Sequence, residues 1–328
     1  MPNNRHQQNS SHYPGLDFAK FFMAICVVLI HIRGLNSGWS PGETANYIIA
    51  LAVPFFFICS GFLLANKIQR NAPEDKAAII KGYAMRIWRM FLCWIAIYIP
   101  LSLWSHFAMP TEDTFVHFAF VQIRSALLLG SISYSYPTWY LYSLAIGTSA
   151  FYLFVRRNLS PVPLFIIGLA GILMEFLTIN YKFGYLIDNG MVSLSTMTRG
   201  AGYMFIGYWL AYHRSAINTG LSLAGIIISI LLWYLNLPYW QLAGSIAVFC
   251  PAYLCKSQTG ASAARWMREE SQWIYLLHMY VLTPLFYFHP YSSPWIMFAI
   301  ATPVCIALSQ IMISLSRSEH GRFLKKLV

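Results

Sequence analysis

A lysine and a histidine stand eleven positions apart in the first apolar run, at Lys20 and His31 of KFFMAICVVLIH. Each helical residue turns by 100°, so the two side chains share one helix face and lie about 16 Å apart along the axis. Ionisable groups at membrane depth are costly and usually line a cavity or a pathway. Imidazole suits general-base chemistry near neutral pH. The pair therefore indicates a site in which His31 does chemistry near a cation.

The composition identifies the kind of chain that must position this pair. Of 328 residues, 58% are hydrophobic and 10% are charged, whereas soluble domains carry about 25% charged residues. The net charge of +11 does not indicate nucleic-acid binding, because the basic residues lie between apolar runs. The six cysteines show no paired spacing of the metal or disulfide kind. We predict an all-α, polytopic membrane protein whose first helix is retained rather than cleaved as a signal peptide.

About ten apolar runs approach the length of about 20 residues that a membrane crossing needs. Eighteen lysines and arginines fall on one side of this arrangement and four on the other, which predicts that both termini are cytoplasmic. The expected location is the bacterial inner membrane, with a polar tail at 1–15, a transmembrane domain at 16–316 and a basic tail at 317–328. The predicted spans are 16–33, 46–66, 84–104, 138–155, 161–178, 198–213, 219–236, 240–255, 272–289 and 294–316.

The segment 114–130 is a further apolar stretch that includes Arg124. A crossing there would invert the rest of the chain and place its basic C-terminal end outside. We therefore interpret it as an interfacial or re-entrant helix on the external side.

The polar residues of the spans fall at two predicted depths. His31 and Glu175 are expected toward the external half, whereas a second group is expected near the cytoplasmic side. Coenzyme A suits that arrangement, because Lys and Arg bind its phosphates and its long, thin arm reaches deeper groups. The predicted cytoplasmic group contains Lys20, Ser60-Gly61, Arg86, Arg89 and His278.

The Lys20-x10-His31 spacing resembles the Arg/Lys-x10-His motif of the acyltransferase 3 family of bacterial membrane O-acyltransferases. This chain has Lys where many relatives have Arg, and with no SGNH-type esterase domain after the last span we expect acceptor handling in the membrane part. The resemblance extends, in order, over VPFFFICSGF (53–62), RIWR (86–89), PTWYLYSL (137–144), YMFIGYWLA (203–211) and IYLLH (274–278).

The resemblance implies roles for individual residues. His31 is implied to be catalytic, and Ser60, Gly61 and Phe62 to shape the channel for the acyl-CoA donor. The cations Lys20, Arg86 and Arg89 are implied to bind that donor.

Each of these residues also has a structural interpretation. Lys20 is able to snorkel to the headgroups, and His31 to bond a neighbouring backbone. Arg86 and Arg89 would then be positive-inside anchors, and Ser60-Gly61 a close helix contact.

Four other residues are candidates with two roles each. Glu175 either orients the His31 imidazole as part of the catalytic site or meets the acceptor. His278 is either a second donor-side residue or a hydrogen-bonded structural one. Trp139 and Tyr140 are interface aromatics or the place where a sugar acceptor stacks.

The resemblance implies an O-acetyltransferase that moves acetyl from cytoplasmic acetyl-CoA to a sugar hydroxyl of a surface polysaccharide, such as O-antigen, or its lipid-linked precursor. Acetyl-CoA is then a substrate, and no permanently bound cofactor, metal or nucleic acid is expected. Direct general-base transfer and an acetyl-histidine relay both remain open. The alternative function is a proton-coupled exporter or flippase using His31, Glu175 and His278, although no inverted repeats or broken helices are evident in the sequence.

Overall fold

The computed structural model describes residues 13–36, 38–108, 114–157, 160–181, 194–256, 261–290, 293–319 and 321–328. Within these ranges the chain is helical and contains no strand, which confirms the predicted all-α class. The α-helices are α1 (Pro14–Leu35), α2 (Glu43–Ala50), α3 (Ala52–Gln69), α4 (Lys76–Ala108), α5 (Phe115–Leu129), α6 (Thr138–Arg156), α7 (Pro161–Tyr181), α8 (Leu194–Tyr212), α9 (Thr219–Tyr234), α10 (Trp240–Leu254), α11 (Ala261–Phe288) and α12 (Pro294–Arg317).

Each predicted span coincides with helix, and the second is built from α2 and α3, which are interrupted at Leu51. Among the described residues, five stretches are long and apolar enough to cross a membrane: 14–35, 43–69, 76–108, 161–178 and 294–317. Shorter apolar helices such as α9 expose large side chains, including Leu223, Ile227 and Leu231. Such a surface is typical of a membrane protein. That all ten segments cross the membrane, with cytoplasmic termini, stays a prediction.

Small residues allow the central helices to pack closely. A Cβ on Gly61 of α3 would lie 1.9 Å from the Met204 carbonyl oxygen of α8, and one on Gly207 would lie 2.1 Å from the Ile58 oxygen. Glycine therefore permits a backbone approach that other residues would block. Helix α1 packs against α10 and α11, and α3 packs against α8 and α10, so α1 and α3 occupy the interior.

Helix α6 packs along α4, and α5 connects the far end of α4 to α6. The start of α5 lies at the far end of α4, where the rings of Phe118 and His106 stack 4.2 Å apart. The Tyr142 hydroxyl of α6 donates to the Leu127 carbonyl near the end of α5, and the Tyr142 ring contacts Trp88. Trp88 lies about 27 Å along α4 from His106. Helix α5 therefore leads from the end of α4 toward its middle, as a re-entrant helix does.

The segment 130–137 joins α5 to α6 at this intermediate depth. Ser135 Oγ accepts from the Ile132 amide at 2.6 Å, and the Thr138 hydroxyl donates to the Gly130 carbonyl at 2.7 Å. These bonds satisfy backbone groups that lipid would leave unpaired, as irregular structure at membrane depth requires. These contacts favour the re-entrant over the interfacial interpretation of 114–130, and its external side stays a prediction.

Candidate functional site

A cavity of about 390 Å³ opens at the end of the bundle where α1, α4 and α11 begin and α3 ends. Four cations line it, Lys20, Lys67, Arg86 and Arg268, and no carboxylate side chain does so among the described residues. Its remaining wall is mainly apolar or aromatic. We call it the basic cavity. Its deeper lining includes Ser60, Met90, Tyr140, Leu144, Tyr275 and Leu276.

Asp17 organises two of these cations. Its carboxylate lies 3.6 Å from Lys20 Nζ and 3.8 Å from Arg268, and the residue is only 4% exposed. Sequence reasoning missed Asp17, although its i,i+3 spacing from Lys20 on one helix is a usable signal. It also missed Arg268 and Lys67, because their convergence depends on how α3 and α11 pack.

The two arginines of RIWR have different positions. Arg86 lines the basic cavity, and its guanidinium donates to the main-chain oxygen of Val328 at 2.6 Å. Arg89 is exposed and lies outside the cavity lining. The predicted donor-side pair is therefore reduced to Arg86.

The three residues of the SGF motif also separate. Ser60 lines the cavity, and its Oγ shares a hydrogen bond of 2.9 Å with the Tyr140 hydroxyl. Gly61 instead forms the close contact with α8. Phe62 is buried against Phe249 and Tyr253, with ring centroids 5.0 and 5.2 Å away. The structural interpretation thus describes Gly61, and of the three residues only Ser60 lines the cavity. That Ser60 shapes a donor channel stays a prediction.

Tyr140 and Trp139 point to different surroundings. Tyr140 lines the inner end of the basic cavity beside Tyr275, with ring centroids 5.3 Å apart. Trp139 lies instead beneath the Arg199 guanidinium, 5.9 Å from its ring centroid. The two residues predicted to form one acceptor side therefore do not form a single surface.

His31 and His278 lie together beyond this inner end. The Tyr275 ring is 6.1 Å from His278, and His278 is 4.8 Å from His31. Tyr136 stacks on the other side of His31 at 5.8 Å, nearly parallel. The predicted depth of His278 was wrong: it does not line the cavity with the cations but packs against His31.

The two imidazoles present unpaired nitrogen atoms. His278 Nδ1 lies 3.1 Å from the Ile274 carbonyl oxygen, which only accepts, so Nδ1 bears the proton and Nε2 keeps a lone pair. His278 Nε2 and His31 Nδ1 are buried without a hydrogen-bond partner among the described residues. Buried polar atoms usually have partners. The pair is therefore suited to accept a proton from, or bond to, an entering substrate.

Glu175 does not belong to this centre. Its carboxylate bonds Arg199 at 2.9 Å, and its helix, α7, packs mainly against α8. The expectation that Glu175 orients the His31 imidazole is wrong, because another helix layer holds it. The Glu175–Arg199 pair lines a second cavity with residues of α7, α8 and the α9–α10 turn.

Comparison with known proteins gives a family match over nearly the whole chain. The family model described as an acyltransferase domain, acyltransferase 3, matches residues 13–314. Two proteins of Enterococcus faecalis named amino-acid racemase are similar. One is 30% identical over 171 residues, which are 48% of this chain and 22% of the relative. The other is 26% identical over 214 residues, 62% of this chain and 27% of the relative.

The chain thus spans about a quarter of the length of the curated relatives that it matches. No solved structure matches it significantly.

Proposed function

The chain belongs to the acyltransferase 3 family, and we propose that it is an inner-membrane O-acetyltransferase that uses cytoplasmic acetyl-CoA. The proposed acceptor is a sugar hydroxyl of a surface polysaccharide, such as O-antigen, or of its lipid-linked precursor. The observation that carries the proposal is the basic cavity, whose inner end is lined by Tyr275; the Tyr275 ring lies 6.1 Å from His278, which packs against His31.

The donor would enter from the end of the bundle that the charge bias assigns to the cytoplasm. Lys67, Arg86 and Arg268 supply point charges and forked guanidinium groups for the phosphates of the donor. The pantetheine arm would follow the narrower lining past Ser60 and Tyr140. Four cations line this cavity and one nearby carboxylate, Asp17, contacts two of them. This excess of positive charge suits a phosphate-bearing donor, whereas an uncharged sugar would not require it.

The transfer follows from the unpaired imidazole nitrogen atoms. His31 takes the proton of the acceptor hydroxyl while the hydroxyl oxygen attacks the carbonyl carbon of the thioester. A C–O bond forms, the C–S bond breaks, and the CoA thiolate leaves and takes a proton. The acetyl-histidine relay, in which an imidazole nitrogen first carries the acetyl group, uses the same two residues.

Tyr275 stands between the donor space and the histidines. Its hydroxyl donates to the Pro137 carbonyl at 3.2 Å, which fixes the ring across the inner end of the cavity. Tyr275 would thus direct the end of the donor arm toward His278 and exclude water from the thioester.

The test is acetyl transfer by purified protein in lipid. Protein supplied with radiolabelled acetyl-CoA and candidate glycans should label the glycan, and His31→Ala should abolish labelling. His289→Ala is a matched control, because His289 is exposed just after the end of α11. Accumulation of an unmodified substrate in vesicles, without acetyl transfer to any glycan, would instead support the exporter function.

A further inference from the structure

A second cavity of about 230 Å³ lies at the opposite end of the bundle from the basic cavity. It opens where α7 ends, α8 begins and the turn between α9 and α10 crosses. The predicted topology assigns that end to the external side. We call it the outer cavity. Its polar and aromatic lining includes Glu175, Asn180, Arg199, Tyr203, Tyr239, Trp240 and Gln241.

The outer cavity contains a closed pair of opposite charges. Glu175 and Arg199 lie 2.9 Å apart, and their side chains are 7% and 16% exposed. Arg199 also reaches Gln241 at 3.5 Å and lies over the Trp139 ring. The two charges neutralise each other, so the cavity does not offer a net charge to an ion, but it retains many hydrogen-bonding atoms.

A strained turn builds the aromatic wall of this cavity. Asn236 and Tyr239 adopt φ values of 51° and 71°, a left-handed conformation that Asn tolerates but that is costly for an aromatic residue. The strain places the Tyr239 hydroxyl on α7, where it donates to the Leu169 carbonyl at 3.2 Å. Strained backbone persists where the surrounding structure holds it and often marks a binding site.

We infer that the outer cavity binds one uncharged sugar unit of the acceptor, an inference that rests on the proposed function. Sugar hydroxyls both donate and accept, which matches the Asn180 and Gln241 amides, the Glu175 carboxylate and the Arg199 guanidinium. The rings of Tyr239 and Trp240 provide apolar faces with polar edges.

Size and charge both favour this ligand. The volume lies below the roughly 300–1,000 Å³ of sites for drug-sized ligands, so the cavity fits one sugar unit rather than a chain. A phosphate would meet the Glu175 carboxylate, and a lone cation would meet Arg199. A neutral hydroxylated ligand does not break the buried ion pair between Glu175 and Arg199.

The position of the cavity makes it a recognition subsite rather than the transfer centre. Trp139, which lies next to Arg199, starts the same helix as Tyr140 of the basic cavity. The residue before that helix, Pro137, follows Tyr136, which stacks on His31. The first turn of α6 therefore lies between the bound sugar and the histidines, and the subsite would select the glycan whose neighbouring unit is acetylated.

The experiment measures binding of methyl glycosides to the full chain in nanodiscs, without acetyl-CoA, by saturation-transfer NMR and calorimetry. Tyr203→Phe removes one hydroxyl from the lining and should weaken binding roughly two- to tenfold, the range of one neutral hydrogen bond. Asn180→Leu should remove saturable binding. Asn71→Leu is the matched control, because Asn71 and Asn180 each bond the carbonyl four residues earlier, at opposite ends of the bundle.

Saturable glycoside binding that these two variants weaken and Asn71→Leu leaves intact supports the inference. Glycoside binding that neither outer-cavity variant changes would overturn it, as would the absence of glycoside binding. Preferential binding of inorganic phosphate or alanine, lost in Asn180→Leu, would assign the cavity to another ligand class. Acetyl transfer measured in parallel separates the two proposals: intact transfer without cavity-dependent binding refutes the subsite alone, and intact binding without transfer refutes the enzyme alone.

Discussion

The two cavities lie at opposite ends of the same helix bundle and differ in how their charges are satisfied. In the basic cavity, four cations line the wall and the nearby carboxylate of Asp17 contacts two of them. In the outer cavity, Arg199 has its own buried partner, Glu175. An excess of cations attracts an anionic ligand, whereas a closed pair offers hydrogen bonds without net charge.

This difference shows that the type of a polar residue in a membrane helix is not enough to assign its role. Arg86 and Arg199 are both arginines near helix ends, and both line cavities. Their surroundings separate them: Arg86 is exposed in a cavity lined by three other cations, whereas Arg199 bonds the buried carboxylate of Glu175. The family match covers both ends of the bundle and does not distinguish them.

The sidedness of the two cavities should give an all-or-none result. In a background without native cysteines, Arg86→Cys should react with an impermeant maleimide only in inside-out vesicles. CoA added well above the raised KM expected for an Arg86 variant should slow the reaction. Asn180→Cys should react only from the opposite face and ignore CoA. Lys81→Cys is the control, because Lys81 is exposed near Arg86 but does not line the cavity, so it should share the sidedness of Arg86→Cys without protection.

Reaction of Arg86→Cys and Asn180→Cys from the same face would contradict the opposite-end arrangement. Correct sidedness without CoA protection would remove the donor from the basic cavity while preserving the topology.

The transfer centre should belong to the basic cavity. We expect His31→Ala to reduce kcat about 10²- to 10⁴-fold, the usual contribution of a general base, with little change in protein abundance. Single-turnover assays with labelled acetyl-CoA measure this. A well-expressed His31→Ala protein with near wild-type turnover would show that His31 is a packing residue.

The two arginines of RIWR should differ in donor affinity. Arg86→Met removes a charged contact worth about 1.5–3 kcal/mol, so the KM for acetyl-CoA should rise roughly 10- to 100-fold with a smaller change in kcat. Arg89→Met carries the same chemical change on an exposed residue outside the cavity and should leave KM unchanged. An unchanged KM in both variants would identify both arginines as membrane anchors, and an equal rise in KM would contradict the placement of Arg89 outside the donor site.

The outer cavity should influence stability more than chemistry. Glu175→Gln leaves the buried Arg199 uncompensated, a change that typically costs about 3–5 kcal/mol of folding stability. Thermal unfolding in detergent should therefore shift down, and Glu175→Gln combined with Arg199→Gln should recover part of the shift. In the folded protein kcat for acetyl transfer should fall far less than in His31→Ala, because Glu175 pairs with Arg199 and does not contact His31. Any kinetic change should appear mainly as a higher KM for the glycan acceptor.

A kcat loss in Glu175→Gln as large as that in His31→Ala would show that the outer cavity takes part in catalysis together with His31. That result would restore the catalytic role predicted for Glu175.

The sequence by itself determined the features that depend on spacing along one helix. Apolar runs and their length predicted helices at all ten positions, and an eleven-residue separation placed Lys20 and His31 on one face of α1. Local turn geometry is set by neighbouring residues, so these features do not depend on how the helices pack. The order of the motifs along the chain also indicated the family that the comparison then identified.

Only the tertiary structure decided which helices share a site. His31 and His278 each lie 17 residues after the first residue of α1 and of α11, and these helices pack side by side. The sequence prediction counted His278 from the expected membrane boundary at 272, whereas α11 begins at Ala261, so the predicted depth was too shallow. The end of an apolar run predicts the membrane boundary, but a helix often begins several residues outside that boundary.

The same reason explains the separation of Glu175 from His31 and of Trp139 from Tyr140. Equal depth along the membrane normal is readable from a sequence, but lateral position within a bundle is not. Lateral position follows from close contacts such as Gly61 on Met204, and from the interruption between α5 and α6. Those contacts depend on how whole helices pack against each other, and the spacing of residues along one helix does not predict that packing.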